Sequence, residues 1–197
     1  MEIHAIAVIG AGTMGRGIAY AALAAGYRLI LEDVLPERLA AARAEIEGWL
    51  DEAVAGGGLT RESREQAVAR LSTAASVDRA CREADLVIEV LPDEAEMKFD
   101  VFCLLERFAR PGAILATNAA CIAVTEIAAA TTRAEQCVGL HFLNTEPRKN
   151  VLEIVRGRET SEETVTACRE VGRRMGREVV VVGERPPEPR SPGAKPA

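Results

Sequence analysis

An α/β fold, doubly wound around a mostly parallel sheet of about eight strands, is predicted by three observations. Short apolar runs recur along the chain, and segments with helical spacing separate most of them. The first run leads through a glycine-rich turn directly into an Ala-rich helix. Strand–helix–strand units wind right-handed into parallel sheets, so a ligand is expected at the carboxyl ends of the strands.

The elements follow in order. Ala5 to Ile9 is the first strand, and the helix after the glycine turn runs to about Ala25, with Gly26 as its stop. Arg28 to Leu31 is the second strand. Residues 36 to 55 form a long amphipathic helix. Gly56 to Gly58 break it and Thr60 caps another, so that a helical hairpin occupies about 36–71. Strands are then expected at Leu71–Ala74, Asp85–Leu91, Ala113–Asn118, Cys137–Leu143, Val151–Val155 and Glu178–Val182. From Pro186 the sequence turns proline-rich and polar. Residues 184–197 are therefore expected to be a disordered tail beyond a single domain at 1–183.

Composition narrows the function. The 197 residues are 48% hydrophobic, with 24 basic against 30 acidic side chains and no basic cluster, which argues against a nucleic-acid surface. No apolar run reaches the roughly 18 to 20 residues of a membrane helix, and the chain opens into a strand without a charged leader. A cytoplasmic protein is expected. Cys81, Cys103, Cys121, Cys137 and Cys168 form no CxxC and have no His-rich partner set, so neither a disulfide framework nor a metal site is expected.

Gly10-Ala11-Gly12-Thr13-Met14-Gly15 carries the most specific local signal. The first glycine permits the tight turn, the second lets the backbone approach a pyrophosphate, and the third lets helix and strand pack closely. Thr13 and Met14 lie within the same loop, at the helix N-terminus that attracts phosphate. This is the Rossmann-type fingerprint. The second strand ends at Glu32-Asp33, where a carboxylate can take hydrogen bonds from ribose hydroxyls and would repel a 2'-phosphate. NAD is the expected cofactor. Asp33 is the better candidate of the two acids, because Glu32 should alternate to the other face.

Of two histidines, His4 precedes the first strand, while His141 lies near the end of Cys137–Leu143. If the connection to Val151 doubles back about Pro147, His141 and Glu153 are equidistant from the turn and face each other across the strands. A carboxylate beside an imidazole orients it to act as a general base, as alcohol oxidation requires. A core histidine satisfied by a neighbouring glutamate is the other reading of the same spacing.

Taken in order, GAGTMGRGIA (10–19), ADLVIEVLPDEAEMK (84–98), PGAILATN (111–118), VTEIA (124–128), GLHFLN (139–144) and LEIVRG (152–157) resemble the NAD-binding domain of the 3-hydroxyacyl-CoA dehydrogenases. The resemblance covers residues 3 to about 183. It implies an NAD-dependent oxidoreductase that passes a hydride between the 3-carbon of an acyl thioester and nicotinamide, with His141 as base and Glu153 as its partner. It also implies that Asp33 takes the ribose, that Asn118 binds the cofactor, that Asn144 lies near the nicotinamide, and that Asp93 and Lys98 line the cofactor and substrate cleft.

Three departures accompany it. The family's Asn-Thr-Ser-Ser reads Asn118-Ala119-Ala120-Cys121 here, so a serine that helps hold the substrate oxygen is Ala120, a loss of about 1 to 3 kcal/mol of transition-state stabilisation. The helix from Pro36, which in the family lies near coenzyme A, sets Glu45, Glu47, Asp51 and Glu52 against Arg38 and Arg43. That suggests either a carrier-protein thioester or merely a solvated face. The family's Pro-Gly-Phe entry into a helical, dimer-forming domain is replaced by ERPPEPRSPGAKPA (184–197). A partner chain or a homo-oligomer would then complete the cleft, or the chain would be an NAD-binding module without catalysis.

Overall fold

The computed structural model describes residues 1–118, 122–143 and 150–184. The elements are β1 (Ala5–Ile9), α1 (Thr13–Ala24), β2 (Arg28–Glu32), α2 (Pro36–Ala55), α3 (Arg61–Ala69), β3 (Leu71–Ala74), α4 (Val77–Cys81) and β4 (Leu86–Glu89). They continue with α5 (Ala95–Phe108), β5 (Ile114–Thr117), α6 (Val124–Ala128), β6 (Cys137–Leu143), β7 (Val151–Arg156), α7 (Glu162–Arg174) and β8 (Glu178–Gly183). One eight-stranded sheet has the order β3-β2-β1-β4-β5-β6-β7-β8. The pairs from β3 through β6 are parallel, β7 runs antiparallel to β6, and β8 is parallel to β7.

The central strands are apolar on both faces because both faces are covered. Every residue of β1, β4 and β5 is buried. One core joins Ile6, Val8 and Ile88 to Ile18 of α1, Ile46 of α2 and Val165 of α7. The other joins Ala7, Ile9 and Val87 to Phe102 of α5 and Ile127 of α6. After β3 the chain crosses to the other side of β1 and builds outward again. The carboxyl ends of β1 and β4 are thus the point where the winding reverses, and a crevice opens there.

Local chemistry sets the element ends. Pro36 opens α2 at its first position, and Thr60 caps α3 by accepting from the Ser63 N–H at 3.0 Å, so the helical hairpin stands as its sequence signals indicate. Gly26 stops α1 with φ +89°. The strand expected over Asp85–Leu91 is shorter, because the Asp85 carboxylate accepts from the His4 and Ala5 N–H groups and pairs with Arg110, anchoring the strand's start to β1. Glu184 is hydrogen-bonded to Thr125 of α6 through both carboxylate oxygens, at 2.9 and 2.6 Å.

Candidate cofactor and acid–base site

The turn between β1 and α1 is built so that only glycine fits two of its positions. Gly10 adopts φ +108°. A Cβ on Gly15 would lie 1.9 Å from the Gly10 carbonyl oxygen, because α1 packs directly over the strand end. Gly12 differs: a Cβ there would meet nothing within 4 Å, so its backbone faces open space. It is also the N-cap of α1, without a capping side chain, and Thr13 beyond it is exposed. Open backbone at a helix N-terminus is suited to an anion.

Asp33 holds this turn in register with β2. Its Oδ2 accepts from the Ala11 N–H at 3.1 Å, its Oδ1 accepts from the Leu35 N–H at 3.0 Å, and Arg38 stands 3.9 Å away. A carboxylate has about four acceptor positions, so capacity remains for a diol. Glu32 points off the other face of β2, as alternation requires. It is 2% exposed, and its Oε1 has no hydrogen-bond partner. A glycine turn that excludes side chains at Gly10 and Gly15 and leaves Gly12 open, a carboxylate beside it and a buried polar atom awaiting a partner fit an NAD.

Across the crevice, Lys98 is fully buried rather than lining an open cleft. Its Nζ donates to both oxygens of Glu89, at 2.8 and 3.0 Å, and to the Leu91 carbonyl at 3.1 Å, with Asp93 3.6 Å away. Glu89 also accepts from Thr117 Oγ1 at 2.6 Å and from the Leu91 N–H. The network locks the β4–α5 turn to the end of β5. There Asn118 Oδ1 accepts from the Phe142 N–H at 3.2 Å, which ties β5 to the residue after His141. Asp93, by contrast, is 36% exposed.

His141 and Glu153 are directly paired in the antiparallel β6–β7 register. Nδ1 of His141 lies 3.9 Å from Glu153 Oε2, with the side chains 19% and 14% exposed. Both stand on the sheet face that α7 leaves open, beside half-buried Leu143 and Val151 and the 40% exposed Val180. Ala120, Cys121 and Asn144 lie outside the described residues. Sequence reasoning missed the Glu89–Thr117 link and the Glu184 tie to Thr125.

Two further observations bound the chemistry. An open groove of about 700 Å³ follows edge strand β3, between Arg28, Ile30, Ser72 and Arg79, and contains none of the residues above. Among the described residues there is no cluster of three or more metal-ligating side chains, and no helix is long and apolar enough to cross a membrane.

Fold and glycine cradle together define a dinucleotide-binding domain of the dehydrogenase type. Residues 5–185 match the family described as the 3-hydroxyacyl-CoA dehydrogenase NAD-binding domain. The chain belongs to this family, and its cofactor is NAD. It is 37% identical over 179 residues to 3-hydroxybutyryl-CoA dehydrogenase of Bradyrhizobium diazoefficiens, which covers 91% of this chain and 61% of that protein. It is 36% identical to 3-hydroxyadipyl-CoA dehydrogenase of Escherichia coli, covering 91% of this chain and 38% of that one. Among solved structures, 3-hydroxybutyryl-CoA dehydrogenase from Escherichia coli K12 superposes with a TM-score of 0.88 at 35% identity, over 95% of this chain and 39% of the other. The chain thus spans about three fifths of the first relative's length.

Proposed function

We propose that the chain carries the cofactor and acid–base half of an NAD-dependent oxidoreductase acting on 3-hydroxyacyl thioesters. The observation that carries this reading is the His141–Glu153 pair at the carboxyl end of β6, on the same edge of the sheet as the glycine turn. Gly10, Gly12, Thr13, Met14 and Gly15 would hold the pyrophosphate, Asp33 the adenosine ribose, and Asp93, Asn118 and Asn144 the nicotinamide end. Bound NAD supplies the hydride acceptor. Glu153 on the Nδ1 side orients the imidazole and stabilises its protonated form, which assigns removal of the substrate hydroxyl proton to Nε2. In the reverse direction the same nitrogen returns the proton to the alkoxide. Lys98 positions the β4–α5 turn through Glu89 instead of touching the substrate.

The apolar surface of Leu143, Val151 and Val180 beside the histidine suits an acyl chain, and a second copy or another chain covering it would close the cleft. Four described cysteines are free thiols, which fits a cytoplasmic setting. The test follows NADH consumption with acetoacetyl-CoA. His141→Ala is expected to lower kcat by about 10²- to 10⁴-fold with NADH binding retained. An unchanged rate overturns the assignment.

One observation favours a carrier-protein thioester over coenzyme A. Both basic side chains of α2 are engaged, Arg43 with Glu47 of the same helix and Arg38 beside Asp33, while Glu45 of α2 pairs with Arg16. Little positive charge is left there for a nucleotide diphosphate. Turnover of one acyl group on the two carriers separates these readings, and tight NADH binding with turnover on neither marks a binding module.

A further inference from the structure

Glu32 presents a carboxyl where the fold offers it nothing. Its strand neighbours in register are Ile9 of β1 and Ala74 of β3, both apolar. It is 2% exposed, and Oε1 has no hydrogen-bond partner. The surrounding charges belong to other pairs. Asp33 is bound to the Ala11 and Leu35 N–H groups, with exposed Arg38 beside it. Glu89, beyond Ile9 on the same face, is met by Lys98. Helix α4, packed against β2 and β3, carries Asp78 paired with Arg82, and exposed Arg79. Burial, and after it the Asp33 charge, push the Glu32 carboxyl up to about 7. It is therefore about half protonated near pH 7 and largely neutral at about pH 6 and below. A neutral carboxyl has one donor and one acceptor side by side.

The position says what such a group can meet. With the ribose at Asp33, the base attached to it would lie near the carboxyl end of β2, where Glu32 stands. Ile9 of β1 stands in register between Glu32 and Glu89 there, and the Leu91 side chain lies against Gly10. Adenine presents an exocyclic amine next to a ring nitrogen, a donor beside an acceptor. We propose that Glu32 is a further cofactor-recognition residue whose neutral carboxyl hydrogen-bonds the adenine edge of NAD, an assignment that rests on the adenosine placement at Asp33 proposed above. Two consequences follow. The site selects for the amine-bearing edge of the base, and binding is linked to a proton on Glu32.

Fluorescence titration with NADH, and with its 1,N6-etheno analogue in which the amine is tied off, tests both. Glu32→Leu is expected to weaken NADH binding about three- to tenfold at pH 6 and to leave binding of the analogue unchanged. Wild-type affinity should fall roughly fivefold or more between pH 6 and pH 8.5, while Glu32→Gln, which keeps a donor and an acceptor but does not titrate, holds the pH 6 affinity throughout. If Glu32→Leu does not fold, the flat profile of Glu32→Gln carries the test alone. The proposal is overturned by a folded Glu32→Leu that binds NADH like wild type, or by a Glu32→Gln profile that follows the wild type. Asp33→Asn separates the two assignments: unchanged NADH affinity there removes the adenosine placement itself.

Discussion

The two ends of the crevice are made in different ways. At the β1–α1 turn the backbone is the working surface, and the constraint is steric: Gly15 cannot accept even a methyl group, and Gly10 holds φ +108°. At the β6–β7 end the working groups are side chains, aligned by strand register and left partly open at 19% and 14% exposure. On the proposed function, the difference means that cofactor binding and proton transfer would fail separately. The first end depends on the absence of side chains at Gly10 and Gly15, whereas the second depends on the chemistry of two side chains.

The largest expected effect exploits that separation. In Gly15→Ala the new methyl would sit 1.9 Å from the Gly10 carbonyl oxygen, so helix α1 must lift off the strand and the phosphate cradle is lost. NADH affinity should drop by on the order of 100-fold or more, equivalent to about 3 kcal/mol. His141→Ala should leave that affinity within about twofold of wild type while removing turnover. A Gly15→Ala protein with wild-type NADH affinity would break the comparison, because it would show that the close helix–strand packing does not shape the cofactor end.

Legibility in the sequence follows the same division. The glycine turn reads locally, since each requirement falls on residues a few positions apart. The His141–Glu153 pair was readable for a different reason: an antiparallel connection sets residues equidistant from its centre opposite each other, and one histidine stood in a strand. The groups that hold these ends in place leave no such trace. Lys98 reads as a cleft residue at the start of a helix, but the sequence carries no sign that its ammonium turns inward to a strand-end glutamate nine residues back and onward to Thr117. Asp85 reads as a strand residue, although its carboxylate fastens β4 to the start of β1. Such contacts join positions far apart in sequence, with neither periodicity nor a spacing rule to announce them.

The buried pair between the two ends offers the next test. Lys98 and Glu89 are both 0% exposed, so Lys98→Met leaves a buried carboxylate held only by the Thr117 hydroxyl and the Leu91 N–H. Removing one partner of such a pair costs about 3 to 5 kcal/mol, whereas replacing both with apolar side chains of similar size is often close to neutral. Denaturant melts should show that loss for Lys98→Met and recovery of at least half of it in Lys98→Met/Glu89→Met. A double variant no more stable than Lys98→Met would mean that the loss does not come from the orphaned Glu89 carboxylate, and Lys98 would need another role.

A pH dependence confined to the cofactor end supplies the last test. The folded-state pKa of Glu32, about 7, lies above its ordinary value of 4.5, with burial as the main cause and the Asp33 charge as the second. The unfolded chain therefore releases this proton first as pH rises. Stability from this group is fully present below about pH 4.5, is lost progressively up to about pH 7, and is constant beyond, a total of about 3 kcal/mol. The carboxylates held below their ordinary values, Asp78 and Glu106, act on the acid side of this window, and the raised cysteines Cys81 and Cys168 act well above it. Every other group is shared by the Glu32→Gln protein and cancels in the difference. The difference in unfolding free energy between wild type and Glu32→Gln, measured by denaturant melts from pH 4.5 to 7.5, therefore isolates Glu32. The wild type should lose ground steadily relative to the variant across that range. A difference that stays flat would mean that the Glu32 carboxyl is solvated in the folded chain, and that the cofactor end is as open as the acid–base end.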